Sequence, residues 1–216
     1  MQKTYFNLRQ HSKNFMRIKV PWKTAPASGS SDGLDRASLG SLPPDTDPRF
    51  LNLRDYWESL RPAPGLVPSK SRFDPTKLPT LLPWIYLVEV YRKPMRFRFR
   101  LLGTGHTQAL GGEHTGKFID EVRSNFRGSL SEKQHVEVAG GMGMAYFEGQ
   151  AFLSKPGGTR RFRRLLLPFA ETDQIVNIIL GMCFYSDLDP LWNHANEGAL
   201  HSETPSSKSS ADGASF

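Results

Sequence analysis

The clearest pattern in the chain is the strict alternation Met95-Arg96-Phe97-Arg98-Phe99-Arg100-Leu101. A period of two places Phe97, Phe99 and Leu101 on one face of a strand and the three arginines on the other. The preceding run, 84–91, is rich in β-branched and aromatic residues. Arg92-Lys93-Pro94 between the two reads as a turn, so 84–101 predicts a β-hairpin. Three more strands are predicted over 145–154, 161–169 and 174–185, separated by Pro156-Gly157-Gly158 and Glu171-Thr172-Asp173. Connections this short require an antiparallel meander. Upstream, Phe50, Leu53, Trp57 and Leu60 recur at helical spacing behind Asp47 as N-cap and Pro48 at the first helical position, and Pro62 and Pro64 end that helix. Between hairpin and meander, Thr104 opens a short helix that ends at Gly111-Gly112, and 117–123 and 125–138 are further helical segments. Strands in runs with helices between them predict an α+β fold and exclude the alternating order of a doubly wound sheet.

The ends of the chain lack this patterning. Residues 25–49 are small, polar and Pro-rich, as in Ala25-Pro26-Ala27-Ser28-Gly29, and read as a linker. Residues 192–216 are Ser-rich and read as a disordered tail. One domain over 50–191 with two loose ends is the organisation expected. Charge sharpens this division. The 216 residues carry a formal net charge of +7. Lys3, Arg9, Lys13, Arg17, Lys19 and Lys23 fall within the first 24 residues without an acid among them, and acids and bases nearly balance thereafter. The charge excess is therefore a property of a basic N-terminal arm. Such an arm suits an adaptor that docks on anionic lipid or nucleic acid, which is the alternative function; nucleic acid is not the expected partner of the domain itself. No stretch reaches the ~18 apolar residues of a membrane helix. The single Cys183 rules out an internal disulfide framework and a cysteine zinc site. No apolar run marks a signal peptide, so a cytoplasmic location is expected.

Several motifs run in one order. Trp57, Leu60-Arg61-Pro62, Val67-Pro68-Ser69-Lys70-Ser71-Arg72-Phe73-Asp74-Pro75, Leu78-Pro79 and Leu82-Pro83 come first. Arg98-Phe99-Arg100-Leu101-Leu102-Gly103-Thr104 and His114-Thr115-Gly116 follow, and Arg163-Arg164-Leu165-Leu166-Leu167-Pro168-Phe169 and Ile179-Leu180-Gly181 close the series. In this order they resemble a family of short, stand-alone alphaproteobacterial PAS-like sensory proteins, over about 130 residues. His114 stands where an acid is expected before Thr115-Gly116. The resemblance implies a five-stranded antiparallel sheet, a cluster of short helices on one face and an N-terminal helix. It also implies a sensory or interaction module that binds a small ligand or a signalling protein and has no catalytic output.

On that template Phe97, Phe99, Leu101, Val176, Ile178 and Leu180 are the inner sheet residues expected to line a ligand pocket. Phe50, Leu53, Trp57 and Leu60 either dock on their own sheet or form a homodimer contact; the dimer is preferred by analogy with PAS domains. No cofactor and no metal site are expected. Haem held by His106, His114 or His135 is the secondary reading, because these residues lie where haem-binding PAS domains place their iron ligand. Gly103-Thr104-Gly105 lacks the third glycine of a dinucleotide fingerprint and reads as a strand-to-helix turn in which glycine permits positive φ. Asp120 and Glu121 diverge on a helix and cannot act as a facing acid–base pair, no serine or histidine arrangement suggests an enzyme, and Cys183 reads as a packed hydrophobe. The strand arginines Arg96, Arg98 and Arg100, and Arg160, Arg161, Arg163 and Arg164, form either a basic patch for an anionic partner or, preferred here, a solvated face paired with acids such as Glu89 and Glu148.

Overall fold

The computed structural model describes residues 35–141, 143–152, 159–171 and 175–193. The basic arm, most of the linker segment and residues 194–216 lie outside them. Six strands form one antiparallel sheet: β1 (Arg36–Leu39), β2 (Ile85–Arg92), β3 (Met95–Leu102), β4 (Ala145–Phe152), β5 (Thr159–Ala170) and β6 (Val176–Tyr185), in the spatial order β1-β4-β5-β6-β2-β3. The helices are α1 (Pro48–Ser59), α2 (Thr104–Leu110), α3 (Ile119–Val122) and α4 (Leu130–Ala139), with three 3-10 segments over Lys70–Arg72, Pro75–Lys77 and Pro79–Trp84. The expected α+β architecture is present, with one strand more than the five anticipated. The extra strand, β1, lies within the segment read as linker. It pairs with the edge of β4, where Arg36 opposes Glu148 and the two form an ion pair at 2.9 Å. Four residues offer too short a run for alternation to be recognised.

Helix α1 forms for the reasons its sequence suggests. The Asp47 side chain accepts the Arg49 N–H at 2.9 Å, and Pro48 needs no hydrogen bond at the first helical position. Its apolar stripe lies on the sheet of its own chain. Phe50, Leu53, Trp57 and Leu60 are buried with Leu165, Leu167, Ile178, Leu180 and Phe184. Trp57 donates its Nε1–H to the carbonyl of Pro168 at 2.9 Å. Strand β5 outruns β4, whose first residue Ala145 pairs with Leu166, so Pro168 sits where a missing N–H leaves no ladder bond unmade. Arg49 holds Asp47 and Asp189 at 2.6 Å each and lies over Phe184 at 3.7 Å, which ties the start of α1 to the turn that follows β6. The apolar face that suggested a dimer is therefore occupied within the chain.

Helices α2, α3 and α4 cover the opposite face, where Tyr86, Val88, Phe97, Phe99, Leu166, Ile179 and Cys183 pack with Ala109, Ile119, Phe126 and Val138. Central β6 is buried on both faces. At Gly181 a Cβ would stand 2.0 Å from Cζ of Tyr86, whose ring is boxed by Phe99 and His106. Gly181→Ala is therefore expected to destabilise by about 2 kcal/mol through overpacking. A urea midpoint equal to that of the native chain would contradict this. Gly103 has φ −68°, so positive φ is not its purpose. A Cβ there would lie 2.4 Å from the carbonyl oxygens of Leu82 and Pro83, and close backbone approach is what requires glycine.

Candidate functional site

Beneath the short helices lies a cavity of about 40 Å3, room for about three water molecules. Each covering element contributes to it. Tyr86 and Phe99 come from the hairpin, His106 and Leu110 from α2, Ile119 from α3, Arg123 from just beyond α3, Ser131 and His135 from α4, Phe162 and Arg164 from β5, and Cys183 and Tyr185 from β6. Ser131 and His135 are four residues apart and so share a helix face. No carboxylate among the described residues lines the cavity.

Arg163 and Arg164 are adjacent in β5 and point to opposite faces of the sheet. Arg163, 5% exposed, pairs with Glu148 at 3.1 Å and stacks over Trp192 at 4.3 Å. Arg164 is equally deep at 4% exposed but meets only neutral groups. Its Nη1–H donates to Ser131 Oγ at 2.6 Å and its Nη2–H to Gln134 Oε1, while Gln134 passes its own N–H to the carbonyl of Tyr146 at 3.0 Å. These bonds pin α4 to β5 and β4. They leave Arg164 Nε without a partner, and the buried Nε of half-buried Arg123 also has none. Burial, and secondarily the nearby charge of Arg164, holds the Arg123 guanidinium below its ordinary value.

The two cavity histidines, His106 and His135, are neutral. His106 donates Nε2–H to the carbonyl of Trp84 at 3.0 Å and accepts the Tyr185 hydroxyl on Nδ1 at 2.9 Å. His135 donates Nδ1–H to the carbonyl of Ser131 at 2.7 Å, which leaves Nε2 as a lone pair with no partner. Burial lowers His106 to about 4 and His135 to about 3; for His135 the charge of Arg164 adds to the effect. Burial also raises the Cys183 thiol to about 12, so it remains protonated and packs as a small apolar group.

The six residues expected to line a pocket do not converge. Phe99 lines the cavity, while Phe97 and Val176 lie in the same layer outside its wall. Ile178 and Leu180 face α1 on the other side of the sheet, and Leu101 is 46% exposed. The cause is two register shifts. Leu87 pairs with Leu101 and Val88 with Phe99, so Arg100 is an extra residue that reverses the alternation before Leu101. Likewise Phe169 pairs with Ile178 and Ala170 with Val176, and the irregularity at Asn177 separates the facing of Val176 from that of Ile178.

Of the three candidate haem ligands, His106 has both ring nitrogens engaged and His114 lies outside the cavity wall. His135 Nε2 is bare, but it adjoins a space far smaller than a porphyrin. Among the described residues, no group of three or more His, Cys, Asp or Glu side chains is placed to hold a metal ion. The strand arginines are largely paired. Arg96 meets Asp120 at 2.9 Å and Glu121 at 2.8 Å, Arg98 meets Glu89 at 2.5 Å, and Arg160 meets Asp187 at 2.7 Å. Arg164 is a cavity-lining residue that the alternation of the strand arginines does not reveal. The signal for it is parity, because Phe162 and Leu166 two positions either side face the same core layer.

No helix of the described residues is long and apolar enough to cross a membrane. A search of curated proteins finds no significant match to this chain. Among solved structures, one described as an RNA-binding Light-Oxygen-Voltage receptor is similar at 12% identity with a TM-score of 0.42. That alignment covers 80% of this chain, which spans 43% of that receptor chain. The sequence model described as PAS domain matches residues 46–184, a stretch that contains α1, the hairpin, α2 to α4 and most of the meander. By this match over more than half of its length, the chain belongs to the PAS domain family.

Proposed function

We propose that the chain is a PAS-type sensory module that admits a small molecule to the cavity beneath α2, α3 and α4. It reports occupancy by contact with a signalling protein and performs no catalytic step of its own. The observation that carries this reading is the set of buried polar atoms at the cavity without partners, Arg123 Nε, Arg164 Nε and His135 Nε2. Buried donors and acceptors are almost always satisfied, and a ligand that met these would tie α4 and the connection after α3 to β5. Its departure would loosen short helices of low intrinsic stability and so change the surface a partner meets. A protonated thiol at Cys183, a fully engaged His106 and a His135 held near 3 by burial offer neither an activated nucleophile nor a base matched to neutral pH, which supports binding in place of catalysis.

Native mass spectrometry of the freshly purified full chain tests the reading. A single bound small molecule, released on denaturation, is expected. A chain that has its bare mass when isolated, and still has it after incubation with a small-metabolite mixture, would contradict it.

A further inference from the structure

The polar atoms of the cavity define a ligand more narrowly than "small molecule". Resting on the sensory reading above, we infer that the cavity binds a short 2-hydroxycarboxylate: its carboxylate is held by Arg123 and Arg164, and its hydroxyl is donated to Nε2 of His135.

Charge is the first reason. Two guanidinium groups line the cavity, and no acid among the described residues faces them. A buried cation without a counter-charge is costly, and this fold pairs its comparable arginines elsewhere, Arg49 with Asp47 and Asp189 and Arg163 with Glu148. Arg164 meets only Ser131 and Gln134, both neutral. The missing charge is an anion, and guanidinium N–H groups match a planar carboxylate.

The tautomer of His135 is the second reason. Nδ1–H is committed to the carbonyl of Ser131, so Nε2 presents a lone pair. A simple carboxylate offers only acceptors and would leave that lone pair unmet. A hydroxyl beside the carboxylate supplies the donor. Size is the third reason, because about 40 Å3 accommodates a handful of non-hydrogen atoms.

Isothermal calorimetry of the full chain, dialysed free of any retained molecule, would compare glycolate, acetate and inorganic phosphate. Glycolate is expected to bind about tenfold tighter than acetate, the worth of one added hydrogen bond in a dry site. Arg164→Gln and Arg123→Gln should each weaken glycolate by about tenfold or more with the far-UV circular dichroism unchanged. Because Arg164 also pins α4, half-buried Arg123 provides the variant least tied to folding. Phosphate tighter than glycolate, acetate equal to glycolate, or undiminished glycolate binding by Arg123→Gln would each overturn the assignment. If none of the three binds while native mass spectrometry shows a neutral retained molecule, the carboxylate assignment fails and the sensory reading stands. If none binds and the chain is bare, both fail.

Discussion

Acidification from about pH 7.5 to about pH 5 is expected to lower the unfolding free energy by about 4 kcal/mol, two buried histidines contributing about equally. His106 and His135 have folded values near 4 and near 3 against an ordinary 6.5. The depressed folded values mean that between 6.5 and 4 the unfolded chain binds two protons that the folded chain refuses. Stability is then complete above about 6.5 and falls as pH drops toward the folded values. The cause lies in the packing. Each ring is enclosed, the carbonyls of Trp84 and Ser131 each take one N–H, and the second nitrogens meet only the neutral Tyr185 hydroxyl and no partner respectively, so a second proton would be buried without a counter-charge. The carboxylates held low by arginine, such as Asp120 beside Arg96 and Arg127, act in the same direction but at more acid pH. Urea unfolding at a series of pH values measures the slope. His106→Asn and His135→Asn should each remove about half of it between pH 6.5 and 5. A flat profile over that interval would show that the rings are not sealed neutral inside the helical cluster.

Trp57→Ala should cost about 4 kcal/mol, at the upper range for deletion of a buried aromatic. The indole is 1% exposed at the centre of the layer between α1 and the sheet. Its N–H is the partner of the Pro168 carbonyl, and Arg61 lies 4.2 Å above the ring. Deletion opens a cavity and strips that carbonyl of its donor at once. Trp57→Phe keeps most of the packing, and about 1–2 kcal/mol of loss isolates the unsatisfied carbonyl. Both losses should be independent of protein concentration, because the contacts lie within one chain. A loss that shrinks on dilution would place Trp57 in a contact between copies instead.

These two effects arise on opposite faces of the sheet, and the sequence exposes them unequally. Helix α1 is legible because a proline, an N-cap and four apolar residues at helical spacing agree, and the hairpin and meander because their alternation is local. The docking of α1 is a tertiary fact. The spacing of Phe50, Leu53, Trp57 and Leu60 shows a face that must be covered but not by what. Strand alternation carried through Arg100 and Asn177 misplaces Leu101, Ile178 and Leu180, because bulges at those two positions reverse it. A bulge has no simple sequence mark when a single polar residue, Arg100 or Asn177, interrupts a run whose neighbours are good strand formers. The polar wall of the cavity was harder to see, since Arg123, His135 and Arg164 come from a connection, a helix and a strand far apart in sequence. Arg164 also sits in a run of arginines that resembles an exposed face, and only its parity with Phe162 and Leu166 separates it from Arg163.

The most direct test of the central claim is the electron density inside the cavity in a high-resolution crystal structure of the freshly purified chain. The expected result is a small organic molecule in contact with Arg164 Nε and His135 Nε2. Density for ordered waters alone, bridging Arg123, His135 and Arg164 both before and after soaking with glycolate, would contradict it.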